Sequence, residues 1–186
     1  MIFISVAHHP AAKGAAFVNA QGVELFNEYD ESLIWSQNLH AVFGFDSVLV
    51  PTGKLKAKVA FINERATRND LALEIHFNSA KNSHGIHVGR GCETLYCPCS
   101  VRGKLAAQIM QLHLATVMGP DRGVAEAWYQ MNPAKGPDYF AAETKCPALI
   151  VEPEFVHRHD LIWDNRNLAV SMMSEAIMQI QEEVLV

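Results

Sequence analysis

The stretch Leu71 to Ala80, LALEIHFNSA, restricts what this chain can fold into more than any other part of it. Leu71, Leu73, Ile75 and Phe77 alternate with Ala72, Glu74, His76 and Asn78, so an extended backbone presents one continuous apolar face. The other face carries Glu74 and His76. A charged and a titratable group at the end of so apolar a run are costly to bury without a partner or a metal. His76 is therefore the first functional candidate, with a core histidine hydrogen-bonded to backbone as the alternative.

Two more runs read as strands covered on both faces: Ile2 to Ala7 (IFISVA) and Pro147 to Val151 (PALIV). The first leads into His8-His9-Pro10 and the second into Glu152-Pro153-Glu154-Phe155. Ser47 to Val50 is a further strand before Pro51. If these strands are parallel, His8, His76 and Glu152 meet at one edge of the sheet, where α/β proteins place their ligands.

Helical signals alternate with the strands. Asn27 is a good N-cap, Glu28, Asp30 and Glu31 suit the first turn of the helix dipole, and Gly44 is the stop. Trp35, Leu39 and Val42 form the stripe of that helix, and Glu28, seven residues before Trp35, falls on it and points inward. Glu28 is thus a first-turn charge or a ligand, with Glu24 and Glu31 as the alternatives. Thr52 caps a helix to about Ala66 with Lys54, Lys56 and Lys58 facing water. Ser100 opens a helix with Leu105, Ile109, Leu112 and Thr116 at core spacing, ending at Gly119-Pro120. The last helix, about Asp160 to Glu183, puts Leu161, Leu168, Met172, Ala176 and Ile180 on its core stripe.

This alternation marks a layered α/β domain. Gly85 to Gly91 and Glu93 to Tyr96 read as two strands, antiparallel because their connection is short, which makes the sheet mixed. Ala11 to Gly22 reads as a loop over the site, and Arg122 to Tyr139 as a second loop whose Trp128 and Tyr129 line a groove or close the core. Glu64, Arg65, Arg68 and Asp70 read as a solvated corner.

At 186 residues and a net charge of −5, the chain suits one domain and offers no general basic surface for nucleic acid. No apolar run approaches the roughly 20 residues that span a bilayer, and MIFISVAHHP lacks the basic head of a secretory signal. The expectation is accumulation in the cytoplasm, with Cys92, Cys97, Cys99 and Cys146 as reduced thiols. CETLYCPC lacks the CxxC pair and second half-site of a thiolate zinc centre. The pattern sets no oligomeric state.

His8, His76, Glu28 and Glu152 together have a definite chemistry. Two neutral imidazoles and one carboxylate are a ligand set of catalytic zinc sites with an open fourth position. Zinc lowers the pKa of bound water to around 7, and a further carboxylate can take that proton and pass it to a leaving amine. The reaction so assembled is amide hydrolysis.

In order and spacing, SVAHHPAAKGA, NEYDESLIW, LEIHFNSA, CETLY, DRGV and PALIVEPEF resemble the zinc-dependent N-acetylmuramoyl-L-alanine amidases of the type-3 family, phage endolysin catalytic domains in particular. The most specific pieces are LEIHFNSA, similar to the family's S-I-H-x-N-S/A, and VEPEF, similar to its E-x-x-F. The resemblance covers nearly the whole chain. It implies a mixed sheet of about six strands with helices on both faces, and with the length of the chain the expectation is a single catalytic domain over residues 1–186 without a separate wall-binding domain. It further implies His8, Glu28 and His76 as zinc ligands, Glu152 as the catalytic carboxylate, and the peptidoglycan amide between the lactyl group of N-acetylmuramic acid and L-alanine as substrate. The enzyme would reach the wall after the membrane is breached. The alternatives are a zinc hydrolase acting on another N-acyl amino acid or peptide, and a non-catalytic wall-binding module of the same fold.

Two departures from the family pattern bear on the site. Ala7-His8-His9-Pro10 stands where the family has G-H-G-G, giving two candidate histidines. His8 is preferred because Gly14-Ala15 then keeps the family's loop register. Glu154 stands where a small residue is common, and it shares Glu152's face or extends the acidic pocket. Glu74, two residues before His76, is a further candidate on the same grounds of face.

Overall fold

In the computed structural model, which describes residues 1–128 and 136–186, the apolar runs at Ile2, Leu71 and Ala148 lie side by side at the centre of the sheet. Strand β1 (Ile2–Val6) leads through a hairpin of β2 (Ala16–Val18) and β3 (Glu24–Asn27) into helix α1 (Glu28–Phe43). Strand β4 (Ser47–Leu49) and helix α2 (Leu55–Arg65) precede β5 (Leu71–Ile75). A second small hairpin, β6 (Ala80–Lys81) with β7 (His87–Val88), leads to β8 (Cys92–Tyr96), helix α3 (Val101–Leu114) and β9 (Asp121–Glu126). Short helix α4 (Tyr139–Glu143), β10 (Ala148–Glu152) and long helix α5 (His159–Glu183) complete the described chain.

The six-stranded sheet has the order β4-β1-β5-β10-β8-β9. The first four strands are mutually parallel, β8 is antiparallel to β10, and β9 follows β8 in parallel, so the sheet is mixed. Every residue of β1, β5 and β10 is buried, as expected for strands covered on both faces. One face packs Ile4, Leu73 and Val151 against Trp35 of α1, Met110 of α3 and Met173 of α5. The other packs Phe3, Ala72 and Ile150 against Ile62 of α2 and Phe140 of α4. The carboxyl ends of β1, β5 and β10 therefore open on one edge, with the start of α1 above them.

Asn27 caps α1 by accepting the Asp30 amide at 2.9 Å, and Ser100 caps α3 by accepting the Gly103 amide at 2.9 Å, as the sequence indicates. Several other expectations are corrected. The stretch Ala11 to Gly22 is not wholly loop, because Ala16–Val18 pairs with Glu24–Asn27 across the Asn19–Val23 turn. Arg122 to Tyr139 likewise begins as structure: Asp121–Glu126 is the sixth strand, its edge position allowing a glycine and three charged residues that a central strand would reject. Tyr129 and Pro133 lie outside the described residues. The segments at Gly85–Gly91 and Glu93–Tyr96 do not pair with each other; β7 returns on β6, whereas β8 pairs with β10 and β9.

Three apolar stripes are displaced. In α1, Trp35 and Leu39 are buried but Val42 is exposed at the last turn. In α3, the small residues Ala106 and Ala107 face the core with Met110 and Leu114, while Leu105 and Leu112 face water. Small side chains let the helix approach closely, and the leucines are left on the far face. In α5, Ala176 and Ile180 are buried as expected, together with Ile162, Ala169, Val170, Met173 and Ile177, but Leu168 is exposed. The most consequential correction is Lys58, which is 3% exposed rather than on the wet face of α2. Asp70 is also buried, accepting the Thr67 amide and hydroxyl, so the corner around it is not wholly solvated.

Candidate metal centre and active site

His8 follows β1 with φ of +60°, a left-handed turn that takes the chain out of the sheet and brings the imidazole back over the strand ends. The Ser32 hydroxyl accepts the Ala7 amide at 2.9 Å and donates to the Ile75 carbonyl at 2.6 Å, so α1 ties together the ends of β1 and β5. One turn earlier on α1, Glu28 points to the same place. Its Oε2 lies 2.8 Å from His8 Nε2 and accepts the Ala15 amide at 2.9 Å. Its Oε1 lies 2.8 Å from His76 Nδ1 and accepts the Phe77 amide at 3.1 Å.

Among the described residues, His8, Glu28 and His76 form one group whose ligand-type atoms all lie within 4.8 Å of one another. That spacing and the two-nitrogen, one-oxygen donor set fit a divalent metal of the zinc type. Gly14 supports the same conclusion. With φ of +76°, it passes so close that a Cβ there would stand 2.3 Å from the His8 ring and 2.5 Å from Glu28 Oε2. The loop before α1 is thus closed over the donors with no room for a side chain.

The electrostatics follow from this contact. Burial works to raise the Glu28 carboxyl, but hydrogen bonds from His76 and His8 prevail and hold it far below the usual carboxylate range. Burial works to lower His76, yet its bonds to Glu28 and Glu74 push it up to about 10. The Glu28 carboxylate thus stands between the two imidazoles, in contact with a nitrogen of each.

Glu152, the last residue of β10, lines the same cleft of about 470 Å³ as His8, Glu28 and His76. Burial, reinforced by Glu93 and Glu28 against the opposing pull of His76, pushes its carboxyl up to about 7. The Asn78 side-chain amide donates to Glu152 Oε2 and fixes its direction. A carboxyl poised near neutrality, held beside a metal-type donor set, suits proton transfer. Trp128, half exposed, and Asp138 form the outer wall of the cleft.

The remaining candidates stand elsewhere. His9 turns back on Ala12 and is not in the donor group. Glu154 is completely buried and does not line the cleft; its Oε1 accepts the Gly91 and Phe155 amides, and Arg158 lies 3.3 Å from its Oε2. Strand β10 ends at Glu152 and the chain bends at Glu154, so the two-residue alternation that would have put Glu154 beside Glu152 does not continue past β10. Glu74 is buried behind His76, 3.1 Å from its Nε2. Glu31 holds Arg166 and the Trp35 and Trp163 indoles, and Glu24 bonds Asn27, so neither alternative to Glu28 reaches the donors. Sequence reasoning missed Asn78 and Lys58. Lys58 lies three residues after Leu55 and four before Ile62, a spacing that places it on the apolar side of α2 and could have identified it.

Residues 2–179 match the sequence profile of the N-acetylmuramoyl-L-alanine amidase family. No curated protein matches significantly. Among solved structures, the fold is similar to an N-acetylmuramoyl-L-alanine amidase from Clostridium difficile 630, with a TM-score of 0.78 at 19% identity over 98% of this chain and 96% of that one. It is also similar to the catalytic domain of the amidase CwlV from Bacillus (Paenibacillus) polymyxa var. colistinus, with a TM-score of 0.77 at 19% identity over 97% of each chain. The catalytic domain of the CD27L endolysin targeting Clostridia difficile aligns with a TM-score of 0.69 at 18% identity over 96% of each chain.

Proposed function

The chain belongs to the N-acetylmuramoyl-L-alanine amidase family, and from that premise we propose that it is a zinc-dependent peptidoglycan amidase in which His8, Glu28 and His76 hold the metal and Glu152 moves the proton. The observation that carries this reading is the convergence of three ligand atoms within 4.8 Å of one another in a cleft that also holds Glu152. The bond cut is the amide between the lactyl group of N-acetylmuramic acid and L-alanine. A zinc ion held by His8, Glu28 and His76 would supply Lewis acidity toward the scissile carbonyl and toward water near pH 7.

The chain's own residues supply the rest. Glu152, ionised, takes the proton of the attacking water and later delivers it to the nitrogen of the leaving L-alanine. Asn78 keeps Glu152 Oε2 engaged, which leaves Oε1 as the oxygen free to exchange protons. Trp128, Ile150, Gly14 and Ala15 line the cleft around these groups. His8, Glu28 and His76 come from β1, α1 and β5, so the ligands are fixed by three separately anchored elements. Cutting this amide frees stem peptides from glycan strands and weakens the wall, and on this reading lysis is the biological outcome. We further read residues 1–186 as one catalytic domain, since all described helices pack on a single sheet.

Metal analysis tests the assignment. His8→Ala, Glu28→Ala and His76→Ala should each lower zinc content below that of the parent protein, and His9→Ala should not. Undiminished zinc in all three variants would refute the ligand set. Loss in His9→Ala alone would move the first ligand by one residue.

A further inference from the structure

The His76 nitrogen that faces Glu28 is Nδ1, so a metal held by this group would need the ring's proton on the opposite nitrogen. A neutral imidazole carries one N–H, and the hydrogen bond made by one nitrogen decides which is left with a lone pair for metal. Glu74 Oε2 lies 3.1 Å from His76 Nε2, on the side of the ring away from Glu28 and His8. The Glu74 carboxylate is itself fixed from two other elements. Its Oε1 accepts the Ser5 hydroxyl of β1 at 2.9 Å and the Lys58 ammonium of α2. Lys58 also donates to the Val6 carbonyl at 2.7 Å, two residues before His8.

Ser5, Lys58 and Glu74 are all essentially inaccessible to water. A buried Lys–Glu pair is a poor way to stabilise a fold, because replacing both partners by apolar residues of similar volume is often neutral or stabilising. Its placement against a single histidine nitrogen points to a different role. We propose that Glu74, held by Lys58 and Ser5, is a positioning residue for the metal centre: it accepts the Nε2–H of His76 and so commits Nδ1 to the metal. The inference rests on the zinc site proposed above and adds to it a carboxylate and a lysine that never touch the metal or the substrate.

The test compares the full-length parent, His8→Ala, Glu74→Gln, Glu74→Asp and the double variant Glu74→Leu/Lys58→Met. Zinc affinity is measured by competition with a chromophoric chelator, and the His76 ring nitrogens are followed by NMR in the zinc-loaded proteins. The double variant removes both buried charges together, so it should remain folded with a melting temperature near that of the parent. Its zinc affinity should fall about 10–100-fold, the range typical for loss of such outer partners. In the parent, His76 should show zinc on Nδ1 and a proton on Nε2, and the double variant should lose that exclusive pattern. Glu74→Gln should fall between parent and double variant, and Glu74→Asp, which keeps the charge, should recover part of the loss relative to Glu74→Gln. A folded double variant that binds zinc as tightly as the parent, or zinc on Nε2 of His76 in the parent, would overturn the role of Glu74 while leaving the metal centre intact. A parent that binds zinc no better than His8→Ala would overturn the metal centre and this inference with it.

Discussion

Glu152 and Glu154 show how much two residues of backbone decide. Both are acids near the end of β10 and both are buried, yet only Glu152 opens on the cleft, while Glu154 is consumed by the Gly91 and Phe155 amides. Glu152→Gln should therefore lose about 10²–10⁴-fold in turnover with zinc content unchanged, as removal of a general acid–base group does. Glu154→Gln should keep turnover and instead lower the melting temperature. Reversal of that ranking in steady-state assays and thermal melts would move the catalytic role to Glu154. Because burial raises the Glu152 carboxyl to about 7, and the base must be ionised, activity should rise with pH through or somewhat below neutrality, bound metal pulling the midpoint down. The linkage has the opposite sign for stability. The folded chain holds this proton more tightly than the unfolded one, so stability declines as pH climbs from the ordinary carboxylate range to about 7. In the presence of chelator at pH 8, Glu152→Gln should melt above the parent; a lower melting point would show that the carboxylate is stabilised where we find it strained.

At the scale of elements, strands were legible where the run was uniformly apolar and illegible where it was not. Ile2–Val6 and Ala148–Glu152 are covered on both faces, and their composition says so, whereas Leu71–Ile75 alternates in sequence and yet buries its Glu74 face as well. Asp121–Glu126 carries a glycine and three charges, which an edge strand tolerates because one side of its ladder meets water. Helices α1 and α3 were found by their caps, which are local, whereas α2 starts at Leu55 behind Lys54 rather than at a Thr52 cap, and helix faces were misjudged because burial is set by partners. Leu105 and Leu112 obey helical spacing as well as Ala106 and Met110 do, and only the close approach of the sheet selects the latter pair. Glu28 was readable because it sits one residue past its cap, Asn27, and on the stripe of Trp35. The loop that closes over it was less so, since Gly14 reveals its purpose only when His8 and Glu28 are seen against it. Gly14→Ala should accordingly weaken zinc binding and activity together, since a Cβ there meets both ligands and the backbone has positive φ; normal zinc content and turnover in that variant would contradict the packed loop.

Across the whole molecule, the four proposed functional residues derive from one topological fact: β1, β5 and β10 are parallel and adjacent, so His8, His76 and Glu152 leave the sheet on the same edge and α1 begins above them. The donor geometry and the raised Glu152 carboxyl both belong to that edge. The opposite edge carries Cys97, Cys99 and Cys146, and no part of the proposed chemistry reaches it. The account stands most directly on which bond is cut and by what. Purified peptidoglycan treated with the enzyme should yield new free α-amino groups on L-alanine without new reducing sugar ends; the release should stop on chelation, return with added zinc, and be absent with Glu152→Gln. New reducing ends in place of free alanine amines, or amide cleavage that persists after zinc is stripped and Glu152 is replaced, would contradict it.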